Sequence, residues 1–154
     1  MQFNTSTYYA IDIMLYLAKN KKVVSSTELS QNTAISKRYL MQIAAKLRDG
    51  KLVGVSLGMT GGYYLLKEPD NISVYDIIVL MEGEIRVTDA PDEGAAHLTL
   101  YQAFNDLQHR IYHYLSSLTL DVLVHQSWSQ CLKLLTDTLE PYYEAVRIKA
   151  AQEL

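Results

Sequence analysis

The sequence predicts a mainly α fold with a small β-hairpin wing, namely a winged helix-turn-helix followed by a long dimerisation helix. Three observations predict it. Apolar residues recur at helical spacing over most of the chain. Between residues 25 and 50, a short helical segment and a longer one are separated by a tight turn. Two short β-prone runs joined by glycines follow directly, as in a helix-turn-helix with a wing.

Length and composition limit the class of protein. The chain has 154 residues, 49% of them apolar, which is enough for one ordinary core. Its one cysteine, Cys131, excludes an internal disulfide and a four-cysteine zinc module. The sequence contains neither an apolar run of about 18 residues nor the features of a signal peptide. We therefore expect a soluble, cytoplasmic protein that makes no membrane contact.

The first helix is expected to begin near Thr5 or Ser6, because either hydroxyl can accept a hydrogen bond from a free amide at a helix start. It is expected to end near Asn20. Its apolar face consists of Ala10, Ile13, Met14, Leu17 and Ala18.

The next two helices form the predicted helix-turn-helix. Ser25 and Glu28 have capping-box spacing and open a short helix that runs to about Thr33. Ser36 is a suitable N-cap for a longer helix that ends at Gly50. The predicted buried stripe of this longer helix is Leu40, Ile43, Ala44 and Leu47.

The predicted wing is a hairpin of residues 52–55 and 63–66. The segment 56–62 between them contains glycines that permit the positive φ angles of a tight turn. Another helix is predicted from Ser73, which caps it, to Gly83, which ends it. Its apolar side is Val74, Ile77, Ile78 and Met81.

A long helix of about five turns is predicted from His97. Its apolar stripe is Leu100, Phe104, Leu107, Ile111, Tyr114, Leu115 and Leu118. A helix this long has few internal partners in a small chain, so we infer that a second copy covers the stripe and forms a dimer. The alternative is an ordinary core helix packed on the N-terminal part.

The chain divides accordingly into three predicted segments: a winged helix-turn-helix domain at 1–83, a loop or linker at 84–96, and the dimerisation helix with C-terminal helices at 97–154. The middle segment contains a proline, a glycine and four acidic residues. Shorter helical pieces are predicted at 119–124, and on either side of a break at Pro141.

Charge is distributed unevenly along the chain. Residues 1–67 carry nine Lys or Arg and three acidic residues, a balance of +6, whereas residues 68–154 carry five basic and fourteen acidic residues, a balance of −9. A basic half of this kind favours a polyanion as partner. Chance clustering of solvated charges is the alternative.

The third helix has the side chains that DNA recognition needs. With its stripe buried, the outward positions are Lys37, Arg38, Met41, Gln42 and Lys46. Arginine can bind the O6 and N7 atoms of guanine, glutamine can bind N6 and N7 of adenine, and lysines suit phosphates. Ser26 and Thr27 at the start of the second helix are expected to contact phosphate through hydroxyl and amide groups. A merely solvated helix face would look partly similar.

These segments together resemble the Rrf-two (Rrf2) family of winged-helix transcriptional regulators. The matching strings are RYLMQIAAKLR at 38–48, GKLV at 50–53, GGYYL at 61–65, ISVYDII at 72–78 and EG at 82–83, with YYA at 8–10 and LTL at 118–120. The resemblance extends from about Thr5 to Leu123. It implies a homodimeric bacterial regulator, usually a repressor, that binds double-stranded DNA at a palindromic operator.

The resemblance also implies a set of DNA-contacting positions. Bases would be read from Arg38, Met41 and Gln42, and the wing would lie toward the minor groove at Met59, Thr60 and Gly61. Ser36 and Tyr39, in the same helical region as Arg38, complete the predicted set.

This chain departs from the family pattern in two ways. Many relatives carry basic residues before the first-helix tyrosine and an arginine in the wing, where this chain has Thr5, Ser6, Thr7 and Leu57. Fewer phosphate and minor-groove contacts are therefore expected. Cluster-binding relatives also bear three cysteines where residues 84–98 here have none, with Leu98 and Tyr101 near the ligand positions. We therefore expect no iron-sulfur cluster and no other cofactor.

Other candidate sites have simpler interpretations. Cys131 is interpreted as a buried apolar residue, with an intermolecular redox thiol as the alternative. Asp106, His109 and His113 have metal-ligand spacing, but solvated polar residues are favoured over a metal site. The aromatic residues Tyr101, Tyr112, Tyr114, Trp128, Tyr142 and Tyr143 form either core or a pocket for an unknown small-molecule effector.

Catalysis is not predicted. The glycines at 58–62 join two β-prone runs and do not open a helix, so they do not form a phosphate loop. No nucleophile motif is present in the sequence. The main alternative to a DNA-binding regulator is a winged-helix protein-interaction module that has lost DNA binding.

Overall fold

The computed structural model describes residues 2–88, 98–126 and 128–152. Its elements, in chain order, are α1 (Thr5–Asn20), α2 (Ser26–Thr33), α3 (Lys37–Asp49), β1 (Val53–Ser56), β2 (Gly62–Leu65), a short 3-10 helix (Pro69–Asn71), α4 (Val74–Glu82), α5 (Leu98–Ser117), α6 (Leu120–His125) and α7 (Trp128–Gln152). The predicted class, mainly helical with a small hairpin, is confirmed. Of the predicted linker 84–96, residues 89–96 lie outside the described ranges.

The start of α1 differs from the prediction. The N-cap is Asn4, and no side chain caps the helix, so neither Thr5 nor Ser6 has that role. The side chain of Asn4 instead donates to a carboxylate oxygen of Glu82 at 2.5 Å, and its backbone N–H donates to the other at 2.7 Å. The first turn of α1 is thus tied to the end of α4. The predicted apolar face of α1 is buried.

The helix-turn-helix forms where the capping residues predict it. Ser25 accepts a hydrogen bond from the Glu28 N–H at 3.1 Å, and Ser36 accepts one from the Tyr39 N–H at 3.4 Å. Helix α3 ends before Gly50, as predicted, but Gly50 has an ordinary φ of −77°. A Cβ at Gly50 would lie 2.4 Å from the side chain of Leu80. A larger residue at this position would therefore displace the Leu80 side chain that packs between α3 and α4.

The wing is a two-stranded antiparallel hairpin. Val53 pairs with Leu65 and Ser56 with Gly62. The ladder extends by one further hydrogen bond, from the N–H of Leu66 to the carbonyl of Leu52 at 3.1 Å. The strands therefore lie within one residue of the predicted runs.

The core lies between α1, α3, α4, α6 and the hairpin. Leu120 is fully buried in it, and α6 packs on α1. Backbone hydrogen bonds join the chain before α6 to the start of α4: Val74 N–H to Leu118 at 2.8 Å, and Leu120 N–H to Ile72 at 2.9 Å. Leu118 and Leu120, which the sequence predicts within the C-terminal segment, are thus buried against the N-terminal one.

The two long helices, α5 and α7, pack against each other. Helix α7 continues through Pro141, so the predicted break there is wrong. Pro141 has no backbone N–H, so the carbonyl of Asp137 lacks its usual helical hydrogen bond. Pro141 and Asp137 are both exposed, so water can hydrate that carbonyl. Within the described ranges, no helix has both the length and the apolar character needed to cross a bilayer.

Candidate nucleic-acid interface

Helix α3 presents a polar face opposite a fully buried one. Leu40 and Leu47 are completely buried, and Ile43 and Ala44 are nearly so. The buried stripe fixes the rotation of the helix about its axis. It leaves exposed all five outward residues predicted from the sequence, Lys37, Arg38, Met41, Gln42 and Lys46. The predicted amphipathic pattern of this helix is present in the fold.

The starts of α2 and α3 lie side by side. The ammonium group of Lys37 donates to the hydroxyl of Thr27 at 3.2 Å. Thr27 is exposed and Ser26 is half-buried, both in the first turn of α2. One surface thus combines a lysine, two hydroxyls and a helix N-terminus with free amides, a set of groups that favours a phosphate.

Tyr39 has a structural contact as well as an exposed surface. Its ring meets the ring of Tyr9 edge to face, with centroids 5.8 Å apart. This geometry is favourable for aromatic pairs and joins α3 to α1. Tyr39 is 36% exposed, so it lies at the boundary between the core and the outward face.

The other end of α3 meets an acidic group. The carboxyl of Glu82 accepts hydrogen bonds from the hydroxyl of Thr7 and from Asn4, and these bonds hold its pKa below the ordinary value. The charge of Lys46 adds to that shift. Part of the Lys46 charge is thus directed toward Glu82. The sequence contained no local signal for this cluster, because its members are up to 78 positions apart.

Arg48, in the last turn of α3, is paired with its neighbour. Its Nε and Nη2 atoms both donate to one carboxylate oxygen of Asp49, at 3.0 and 2.8 Å. The cationic, unpaired part of the outward face is therefore concentrated at the N-terminal end of the helix.

The wing tip is apolar and exposed. Leu57 and Met59 are almost completely exposed, and Thr60 is exposed beside them. Gly58 has φ +106°, which glycine adopts without strain. Gly61 is half-buried, and a Cβ there would lie 2.4 Å from the carbonyl oxygen of Ser56. Of the three predicted wing positions, Met59 and Thr60 offer side chains to a partner, whereas Gly61 is needed for the turn itself.

The predicted dimerisation stripe is only partly exposed. Leu100, Phe104 and Leu107 are between 40% and 54% exposed. Tyr114 and Leu115 pack against a second apolar cluster of the same chain, and Ile111 is half-buried. Leu118 lies beyond the end of α5.

Leu118 does not belong to an exposed stripe. It is 8% exposed and packs with Val74 and Ile78 of α4. The backbone bond from Val74 to Leu118 turns the chain inward at this point, which helical spacing alone could not reveal.

The tyrosines of α5 and α7 do not converge on one pocket. The ring of Tyr112 meets that of Tyr75 in α4, with centroids 4.9 Å apart. The ring of Tyr143 lies under the guanidinium of Arg110, 4.3 Å from it. Tyr114 faces the second apolar cluster. Tyr112, Tyr114 and Tyr143 thus have three different surroundings, and the side chains of Trp128 and Tyr142 lie outside the described residues. The effector pocket stays a prediction.

The other candidate ligands have separate surroundings. Asp106 forms an ion pair with Arg110. Cys131 is 2% exposed, and its sulfur lies 4.0 Å from the carbonyl oxygen of Val122. Within the part of the chain that the structure describes, no three His, Cys, Asp or Glu side chains are grouped as metal ligands.

Comparisons with known proteins agree with one another. The family described as "Rrf2: Iron-dependent Transcriptional regulator" matches residues 3–126. The HTH-type transcriptional regulator ORF2 of Azotobacter vinelandii is 35% identical over 144 residues, which cover 89% of this chain and 87% of that protein. The HTH-type transcriptional regulator CymR of Bacillus subtilis is 35% identical over 109 residues, which cover 69% and 79%.

A solved structure of a transcriptional regulator is also similar to this chain. The structure of CymR, the global cysteine regulator of B. subtilis, is similar with a TM-score of 0.70 and 30% identity, and the match covers 80% of this chain and 96% of that chain. The matched family and these relatives are transcriptional regulators and not enzymes, which confirms the absence of catalysis predicted from the sequence.

Proposed function

The chain belongs to the Rrf2 family of transcriptional regulators, and from that premise we propose that it is a cytoplasmic, homodimeric repressor that binds a palindromic operator in double-stranded DNA. The observation that carries the proposal is the Lys37–Thr27 contact, which places the N-termini of α2 and α3 on one cationic surface. Such a surface fits a phosphate group beside a major groove that holds α3.

Base reading is assigned to the exposed face of α3. Arg38 binds guanine through two parallel hydrogen bonds, and Gln42 binds adenine in the same manner. Met41, which is 52% exposed, has no hydrogen-bonding group for a base edge and instead contacts an apolar group such as the thymine methyl. The operator of this chain therefore differs from that of relatives with a polar residue at this position.

Backbone binding is assigned to the two helix starts. Ser26, Thr27 and Lys37 bind phosphate, and Ser36 and Tyr39 support the first turn of α3, which carries Lys37. Lys46 makes a weaker contribution, because Glu82 offsets part of its charge. Met59 and Thr60 of the wing lie against the minor groove, with Gly61 shaping the turn.

Dimerisation is assigned to the exposed part of α5. Leu100, Phe104 and Leu107 expose apolar surface that a second copy would cover. Ile111, Tyr114 and Leu115 border that surface, and Leu118 is excluded from it. A dimer places the two α3 helices in successive major grooves, with half-sites about one helical turn, roughly 34 Å, apart.

The signal is not a cysteine-bound iron-sulfur cluster. The family description includes iron dependence, yet such a cluster needs several thiolates. This chain has one cysteine, buried in α7 and directed toward a backbone carbonyl. A single buried cysteine thus does not fit a cysteine-bound iron-sulfur cluster, and regulation would depend on another signal.

One observation favours a different function. The wing tip presents two exposed apolar side chains, Leu57, where the family resemblance leads us to expect an arginine, and Met59. A winged-helix module that binds a protein partner instead of DNA would have such a tip.

Salt dependence separates the two functions. The affinity of the protein for a labelled random-sequence duplex would be measured by fluorescence anisotropy at low and at physiological salt. A DNA-binding regulator loses affinity steeply as salt rises. Its binding releases the counterions condensed on the DNA phosphates, and this release becomes less favourable at higher salt concentration. No binding at low salt by a folded dimer would refute the proposal and favour the protein-interaction module.

A further inference from the structure

A cavity of about 500 Å³ lies between the end of α1 and the end of β2, and none of the proposed DNA contacts uses it. Its volume lies in the range of small-molecule sites. Its wall includes apolar side chains that leave surface for a ligand: Val23 is 41% exposed, and Tyr64 and Leu65 of β2 are half-buried. The cavity can therefore accept the apolar body of a small molecule.

Two local features of the chain create this cavity. Lys21 adopts a left-handed conformation with φ 51°, which ends α1 and reverses the chain. Val24 then pairs with Tyr63 through two backbone hydrogen bonds, of 2.9 and 2.8 Å. The chain is held against the strand at Val24, and the residues just before it, 21–23, line the cavity together with Tyr64 and Leu65 of β2.

The rim of the cavity is cationic. Lys21, Lys22 and Lys67 line it, against one acidic residue, Glu68. Lys22 is paired with Glu28 at 3.2 Å. Lys21 and Lys67 have no ion-pair partner among the residues that the structure describes, and both are exposed. An anion at the rim would thus meet two uncompensated ammonium groups.

We propose that this cavity binds a small amphipathic carboxylate, with its apolar body on Val23, Tyr64 and Leu65 and its carboxylate between Lys21 and Lys67. The same two lysines could instead contact flanking DNA phosphates. A phosphate backbone would leave the apolar wall unused, however, so the combination of wall and rim favours the small acid.

The position of the cavity connects it to DNA binding, and this part of the inference rests on the proposed function. An occupant touches β2, which carries the wing, and the segment that leads through Val24 and Ser25 into α2. It also neutralises two cations of the basic half. We therefore expect occupancy to weaken DNA binding, because the attraction between the domain and the DNA decreases.

The test uses octanoate and 1-naphthoate as probes and 1-octanol as the neutral control. Binding to the full-length protein without DNA is measured by isothermal titration calorimetry. We expect one saturable site per protomer for each acid and much weaker binding of the alcohol. The double variant Lys21→Gln/Lys67→Gln should raise the Kd of the acids about tenfold. The matched control Lys51→Gln removes an exposed lysine of the same domain outside the cavity and should leave the Kd unchanged.

DNA affinity is then measured with and without each acid. A decrease of about fivefold or more in the wild type, absent from the double variant, supports the proposal. No saturable binding, or binding that the double variant retains, overturns the site. If the acids do not bind and the double variant shows a smaller salt dependence of DNA binding, the two lysines contact DNA phosphates, and the proposed acid site is overturned. Acid binding with unchanged DNA affinity refutes the regulatory role, whereas acid binding by a protein that binds no DNA refutes the proposed function alone.

Discussion

Lys37 and Thr27 are joined by a hydrogen bond of 3.2 Å between the ammonium group and the hydroxyl, although one begins α3 and the other lies in the first turn of α2. The contact holds two helix N-termini, with their free amides, on one surface. It also directs a positive charge to the place where a phosphate would bind both helices. The proposed DNA binding depends on this arrangement more than on any single base-reading residue.

Replacing Lys37 by Gln should lower the salt dependence of DNA binding. Loss of one phosphate contact reduces the slope of log K against log salt by about 0.9, without changing which sequences are preferred. The slope is measured by titrations of one duplex at several salt concentrations. Lys133→Gln, an exposed lysine on α7, is the control for net charge. A slope equal to that of the wild type would mean that Lys37 does not contact phosphate.

Replacing Arg38 by Ala should relax selection at one base position. The expected loss is about 1 to 3 kcal/mol for the preferred base, because a paired hydrogen bond to guanine disappears. Binding to a set of operator variants, each changed at one position, measures it. Arg48→Ala removes the same charge from the same helix, but Arg48 is engaged with Asp49, so base preference should persist. Equal base preference in Arg38→Ala and the wild type would remove Arg38 from the reading face.

Replacing Gly62 by Ala should destabilise the hairpin. A Cβ at this position would lie 2.2 Å from the carbonyl oxygen of Val24, so the strand and the segment before α2 must separate. The expected loss of unfolding free energy is about 1 to 3 kcal/mol, the usual cost of overpacking. Urea denaturation measures it, with Thr60→Ala at the exposed wing tip as a near-neutral control. A Gly62→Ala protein as stable as the wild type would contradict the close approach.

Replacing Glu82 by Gln should reduce stability at neutral pH and have less effect in acid. The folded state lowers the pKa of Glu82 below its ordinary 4.5 through hydrogen bonds from Thr7 and Asn4. The charged carboxylate therefore contributes stability above that pH, and the contribution is lost as pH falls through the lowered pKa. Urea denaturation at pH 7 and at acid pH compares the variant with the wild type.

The control for this prediction is Glu84→Gln, which removes a carboxylate from an exposed ion pair with Arg86 and should cost little at either pH. The prediction is wrong if the stability that Glu82→Gln loses relative to the wild type becomes larger as the pH falls.

Replacing Leu107 by Asp should weaken the dimer. Leu107 is 44% exposed on α5. The carboxylate of an aspartate at this position would be buried without a partner in the proposed interface, which is unfavourable. We expect the dimer Kd to rise about tenfold or more, equivalent to about 1.4 kcal/mol or more. Sedimentation equilibrium measures it. Leu132→Asp, at an equally exposed leucine of α7, should leave the Kd unchanged. The reverse pattern would place the interface on α7.

Much of the fold could be predicted because its signals are local. Ser25, Ser36 and Ser73 each cap the helix that follows them, and Ser73 and Asp76 form a full capping box. The outward face of α3 follows from its buried stripe, since the period of a helix fixes both at once. Local signals thus predict the exposed face of α3 as well as the helices.

The features that could not be predicted depend on residues distant in sequence. Glu82 binds Asn4 across 78 positions, and no pattern within either helix indicates that contact. Leu118 continues the spacing of the α5 stripe, yet the backbone of Val74 draws it into the core. Periodicity identifies which residues avoid water but not whether the same chain or a second copy covers them.

Selection from a random pool of double-stranded DNA decides whether this chain recognises a DNA sequence. The purified protein is incubated with the pool at low salt, bound duplexes are recovered and sequenced over several rounds, and binding of the enriched sequences is repeated at higher salt. We expect enrichment of a palindrome whose half-sites lie about one helical turn apart, with affinity that falls steeply as salt rises. Recovery of no common sequence, together with no salt-sensitive binding by the folded protein, would refute DNA recognition by this chain.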